Sequence, residues 1–233
     1  MSLSNLPKAV AQFLAATALR DRGALLACFT PDAILVDEQR SWRGAEIEDW
    51  TDRLYLGAKV RVHPIHRVDR ADATVLIVIL DGDYSAYGFT GPFQYEWRFT
   101  VDGDRIAGLQ TTQQQAPDAP AAILAYIWAT NSFDLDGAVA AFAEGALVND
   151  QRREHCGEAA IRAWLAREII GDRVTMFVTE LRRNGANTVA RAIIEGDYDK
   201  TGLPDPLTLT FYFTIDGERI SQLIVLPEPP NAE

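Results

Sequence analysis

The sequence predicts an α+β protein of two tandem cone-shaped domains, each with three helices packed on a curved antiparallel sheet. Three observations predict it. The chain repeats itself, since "AILVDEQRSWRG" (Ala33 to Gly44) aligns without a gap on "ALVNDQRREHCG" (Ala146 to Gly157). The start of each repeat carries apolar residues at helical spacing. The end of each reads as strands joined by an Asp-Gly turn.

The elements follow in order. Val10, Phe13, Leu14 and Thr17 fall at i, i+3, i+4 and i+7, and so do Ile123, Tyr126, Ile127 and Thr130, which marks one buried helical face in each copy. Asp21 to Phe29 and Asp134 to Phe142 fit a second, short helix. A strand follows in which Ala33, Leu35 and Asp37 share one face, as do Ala146, Val148 and Asp150. Ile47, Trp50 and Arg53 lie between Gly44 and Gly57, and Ile161, Trp164 and Arg167 between Gly157 and Gly171. Both stretches fit a third helix with a glycine at either end. "TVLIVILDGDY" (Thr74 to Tyr84) matches "TVARAIIEGDY" (Thr188 to Tyr198), and "EWRFTVDGDRIAGL" matches "TFYFTIDGERISQL", where Asp-Gly marks a hairpin. The expected boundaries are residues 5–111 for copy one, a polar, Pro-containing linker at 112–119, and 120–227 for copy two. The two copies are expected to pair within the chain as a pseudo-dimer, and further oligomerisation is left open.

Composition narrows the function classes. The 233 residues carry a formal charge of −11, with 48% hydrophobic and 24% charged residues. Such a chain repels phosphate backbones and anionic lipid, so neither nucleic acid nor membrane is expected as a partner. No run of 18 apolar residues and no signal-peptide pattern is visible. Cys28 and Cys156 have no metal spacing, which makes a reduced, cytoplasmic setting the expectation. His63 and His66 are three apart on a strand and so face opposite sides, and no metal or organic cofactor is expected.

The helix–helix–"DAILVDEQ…RG"–helix opening and the "GDY…F…DGERI" ending resemble the nuclear-transport-factor-2-like superfamily, specifically its SnoaL-like group, over almost the entire chain, twice. That superfamily includes ketosteroid isomerases, polyketide cyclases, dehydratases, epoxide hydrolases and members without catalysis. The resemblance implies a conical pocket for a small, largely apolar molecule. Ketosteroid isomerases carry a catalytic base at the end of the first strand, which falls on Asp37 and Asp150. Their oxyanion-hole Tyr falls on Phe13 and Tyr126, and their late-strand acid on Tyr95 and Leu209. Neither copy keeps the complete set. Copy two keeps base and phenol, and copy one keeps the base with Tyr95 as a substitute phenol.

The residues by themselves allow two chemistries. A carboxylate held on an apolar face suits a general base that removes a proton from carbon next to a carbonyl. The same Asp equally suits a strand-end cap accepting backbone N–H bonds. On the first reading the protein is an isomerase, cyclase or dehydratase. Asp150 or Asp37 is then the base, Tyr126 the enolate clamp, and Tyr95, His155 and Trp42 surround the substrate. His155, replacing Trp42 beside the motif, fits either an orienting partner of Asp150 or an exposed turn residue. On the second reading the protein is a non-catalytic ligand-binding or protein-interaction module. Arg191, Glu195 and Asp197 share a strand face and fit an ion-pair ladder better than the Asp-Arg-Asp arrangement of epoxide hydrolases. Trp50 and Trp164 read as packing.

Overall fold

The computed structural model describes residues 6–84, 92–115, 118–184 and 187–228. The chain divides into two compact units, residues 1–116 and 117–233. Unit one runs α1 (Lys8–Leu19), α2 (Arg22–Ala27), β1 (Phe29–Asp37), β2 (Arg40–Arg43), α3 (Ala45–Trp50), a π-helical turn (Thr51–Leu56), β3 (Arg61–Arg70), β4 (Ala73–Asp81), β5 (Phe93–Asp102) and β6 (Arg105–Gln113). Unit two repeats that order. It runs α4 (Ala121–Asn131), α5 (Leu135–Ala140), β7 (Phe142–Asp150), β8 (Arg153–Cys156), α6 (Gly157–Trp164), a π-helical turn (Leu165–Ile170), β9 (Thr175–Asn184), β10 (Asn187–Glu195), β11 (Leu207–Asp216) and β12 (Arg219–Pro227). Each unit is an α+β cone with one six-stranded sheet, ordered β2-β1-β6-β5-β4-β3 and β8-β7-β12-β11-β10-β9.

The structure adds two features to the expected sheet. Each unit has an extra short strand, because Asp37 pairs with Arg40 and Asp150 with Arg153 across two-residue turns. Gln151 and Arg152 both hold positive φ (50° and 71°) there, the left-handed geometry of a tight hairpin. Neither residue is a turn former, which is why the strand left no trace in the sequence. The sheet is also mixed rather than wholly antiparallel, since β1 runs parallel to β6 and β7 to β12. A long crossover separates those partners in sequence, so parallel pairing is open to them. Strand β6 continues to Gln113, into the stretch expected as linker.

Local chemistry explains the ends of the elements. Asp21 and Asp134 cap α2 and α5 by accepting the amides of Ala24 and Gly137, each at 3.0 Å. Gly57 and Gly171 do not end the third helix in a left-handed cap. Each keeps right-handed φ, and a Cβ there would lie 2.5 Å from the carbonyl oxygen of Arg53 or Arg167. The widened π turn brings those carbonyls close, so the glycine is demanded by space rather than by φ. At the β5–β6 hairpin the loop is Gly103-Asp104, with Gly103 at φ +56°, so Asp102 closes the strand instead of entering the turn.

Candidate functional site

The two units use one scaffold to opposite effect. In unit one the interior is filled by aromatic rings. Phe13 packs edge-on against Phe29, Trp97 and Phe99 at centroid distances of 5.7–5.9 Å, and Tyr55 stacks on Trp50 at 4.8 Å. The Tyr55 hydroxyl is fully buried and shares a 2.9 Å hydrogen bond with Thr17 Oγ1. Burial pushes the Tyr55 phenol well above its ordinary value.

In unit two the same positions carry smaller side chains. The repeat puts Ile169 where Tyr55 stands, Phe211 for Trp97, Ala190 for Leu76 and Ala192 for Val78. A cavity of about 180 Å³ lies in this unit. Tyr126, Thr130, Asp150, Trp164, Ile169 and Phe211 line it, among others. The exchange of Tyr55 for Ile169 also strips Thr130 of the partner that Thr17 enjoys. Thr130 Oγ1, with 0% of the residue exposed, lies by the Tyr126 phenol but forms no hydrogen bond of normal geometry among the described residues.

The aspartates differ in the same sense. Both oxygens of Asp37 are engaged, Oδ2 by Trp50 Nε1 at 2.9 Å and Oδ1 by Thr111 Oγ1 at 2.6 Å. The parallel register that sets Asp37 beside Thr111 sets Asp150 beside Val225, which has nothing to donate. Asp150 is 8% exposed. Its Oδ2 accepts from Trp164 Nε1 at 3.2 Å and from the Arg153 guanidinium at 3.0 Å. Its Oδ1 accepts no hydrogen bond among the described residues.

Arg153 is held in turn by Glu168, which accepts two bonds from it at 3.0 and 2.6 Å. Burial works to raise the Glu168 carboxyl, but hydrogen bonds from Arg153 and Arg167 and their charge outweigh it and hold the group below its ordinary value. Burial pushes the Tyr126 phenol up, and the nearby Asp150 charge adds to this. The phenol therefore stays protonated and able to donate.

The remaining sequence candidates lie elsewhere. His155 stacks on Trp164 at 5.7 Å and makes no hydrogen bond to Asp150; it is not among the residues lining the cavity. Trp42 is buried in the unit-one core beneath the Arg40 guanidinium, 3.7 Å from its ring centroid. Tyr95 packs half-buried at the edge of that core, its phenol pushed up by burial and by Glu38 and Asp37. The strand grouping of Arg191, Glu195 and Asp197 separates, with Arg191 paired to Glu228, Glu195 to Lys200 at 3.0 Å, and Asp197 beside Arg173 at 3.9 Å. No group of three or more His, Cys, Asp or Glu residues able to hold a metal occurs among the described residues. Among the described residues no helix is long and apolar enough to cross a membrane.

Sequence reasoning missed Tyr198, Glu168 and Thr130. Tyr198 of the repeated Gly-Asp-Tyr lines the cavity and donates to the Ile194 carbonyl at 2.9 Å. A Cβ on Gly196 would come within 2.9 Å of the Tyr198 ring, so the glycine lets this ring fold back. The recurrence of Trp with Asp in both copies was a legible signal for the indole-to-carboxylate bond.

No protein-family profile matches the chain, and no curated protein does. Solved structures do. A candidate polyketide cyclase from Sinorhizobium meliloti is 28% identical, with 48% of this chain and all of that one covered and a TM-score of 0.44. A second candidate polyketide cyclase, from Xanthomonas campestris, is 25% identical, with 45% and 85% covered and a TM-score of 0.38. An NTF2-like protein of unknown function from Cytophaga hutchinsonii is 13% identical, with 50% and 96% covered and a TM-score of 0.40. The fold and the site define a tandem α+β cone protein with a cavity beside Asp150 in its second cone.

Proposed function

We propose that the protein is a tandem SnoaL-like enzyme whose second unit binds a compact, largely apolar carbonyl compound and moves a proton at the carbon next to the carbonyl. Asp150 Oδ1 takes the proton. The Tyr126 phenol donates to the oxygen on which negative charge develops, as a preorganised dipole in a dry site. Trp164 and Arg153 grip Oδ2 and fix the carboxylate plane, so the free oxygen needs no reorganisation. The single observation that carries this reading is the free carboxylate oxygen of Asp150 on the same cavity as a buried phenol. The chemistry is that of an isomerase, cyclase or dehydratase.

Size limits the substrate. A 150 Å³ apolar cavity is enough to hold benzene, so about 180 Å³ has room for one ring and its substituents. The test is deuterium wash-in from D2O at the α-carbon of monocyclic ketones, followed by NMR. Wild type is expected to exchange, Asp150→Asn to lose about 10²–10⁴-fold, and Asp37→Asn to match wild type. Equal exchange by wild type and Asp150→Asn would remove the base role. The internal pairing expected from the duplication belongs to the same proposal, and cross-linking between the units in a dilute, monomeric sample tests it.

A second reading is favoured by unit one, where the corresponding Asp37 has both oxygens tied to Trp50 and Thr111. On it Asp150 is likewise a structural pin, and the cavity binds without catalysis. Saturable ligand binding with no exchange in any variant is its signature.

A further inference from the structure

We infer that the carbonyl compound taken by the unit-two cavity is also a compact organic cation, a single-ring-sized, otherwise apolar molecule carrying an ammonium group. This rests on the reading of that cavity as a ligand site. Three acidic residues line it, Asp150, Glu168 and Asp172, against one arginine, Arg153. Arg153 is not available to a ligand anion, because Glu168 takes two of its bonds and Asp150 a third. Arg167 also pairs with Glu168, and even counting it the negative charge stays in excess. The Asp172 carboxylate has neither a hydrogen bond nor an ion pair among the described residues, and Asp150 Oδ1 is likewise unengaged. A carboxylate-bearing ligand would meet this excess with no free cation to receive it. An ammonium group would gain from it.

The walls agree with the charge. Trp164, Tyr126, Tyr198 and Phe211 line the same space, and Lys200 Nζ already lies 5.3 Å over the Tyr198 ring, a position that shows this aromatic wall accepting an ammonium. Thr130 Oγ1 supplies a separate sign of a missing ligand. It lines the cavity fully buried beside the Tyr126 phenol, with no hydrogen bond of normal geometry among the described residues, a state that costs free energy unless a ligand group or water completes it. The cavity therefore offers an apolar body site with an unused hydroxyl and, among its lining residues, an aspartate with no cation paired to it among the described residues.

The test compares three probes of one size at neutral pH, benzylammonium, benzyl alcohol and benzoate, by calorimetry on the full chain. Wild type is expected to bind benzylammonium at least about fivefold more tightly than benzyl alcohol, with benzoate weakest. Asp172→Asn, which leaves the carbonyl of residue 172 free to keep its bond to the Asp197 amide, is expected to bring the first two within about twofold. Added salt is expected to narrow the gap as well. If benzyl alcohol or benzoate binds as tightly as the ammonium, the charge inference is overturned while the ligand site stands. If the preference survives Asp172→Asn undiminished, the role given to Asp172 falls. If no probe binds, both this inference and the reading of the cavity as a ligand site fail.

Discussion

Two hydrogen-bond donors separate the two aspartates, Thr111 at Asp37 and Arg153 at Asp150. Thr111 closes the second oxygen of Asp37, and Val225 leaves that of Asp150 open. Asp37→Ala should therefore act on stability alone, stranding the buried Trp50 indole and the Thr111 hydroxyl at a cost of about 1–3 kcal/mol. Urea unfolding measures it, and an unchanged midpoint would show that Asp37 pins nothing. Tyr126→Phe has the reverse signature. It should lower deuterium exchange about 10²–10³-fold with little change in melting temperature, because no hydrogen bond of normal geometry is lost with the phenol. A variant that melts early and exchanges normally would make Tyr126 a packing residue.

At the scale of elements, the π turn and strands β4, β5, β10 and β11 set how much aromatic bulk fills each described core. Tyr55 in the first π turn and Trp97 on β5 occupy the space that Ile169 and Phe211 leave open. Tyr55→Ala should cost about 3–5 kcal/mol, the range for large aromatic truncations in a packed core. It should not alter probe binding in unit two, whose core is separate. Loss of benzylammonium affinity in that variant would mean that the units are energetically coupled. The glycines that end the π turns are a sharper probe of the same element. Gly171→Ala places a Cβ against the Arg167 carbonyl and should disturb the turn that carries Glu168 and Ile169 into the cavity, weakening binding before it unfolds the chain.

Across the whole molecule, duplication allows one copy to pack aromatic rings around its aspartate while the other keeps a cavity beside its own. Acid should expose a further cost in unit one. Burial holds the His66 imidazole below its ordinary value of 6.5, so the unfolded chain takes up that proton more readily than the folded one. Stability is then full above about pH 6.5 and falls as the pH drops below it. His66→Gln should flatten this slope between pH 7.5 and 5.5 in thermal melts, and an unchanged slope would assign it to other groups. Glu168 adds to acid sensitivity at lower pH, since its depressed carboxyl stabilises the fold only while ionised.

The sequence by itself determined the duplication, the helix faces, the hairpin glycines and the strand that delivers Asp37 and Asp150 to an inward face. Spacing of 3.6 and 2 is set by the backbone and survives in any single chain, so these features were legible. It also put Tyr126 and Asp150 in the same copy. The extra strands β2 and β8 were not legible, because their turns use Glu38, Gln151 and Arg152 at positive φ, where sequence habit looks for Asn or Gly. Nor were the partners of the carboxylates, the stacking of His155 on Trp164 or the burial of Trp42 away from the cavity. Only the tertiary structure showed that a cavity lies beside Asp150. That outcome depends on residues far apart in the chain, Tyr126, Asp150, Ile169 and Phe211, converging on a single volume, and periodicity carries no record of volume.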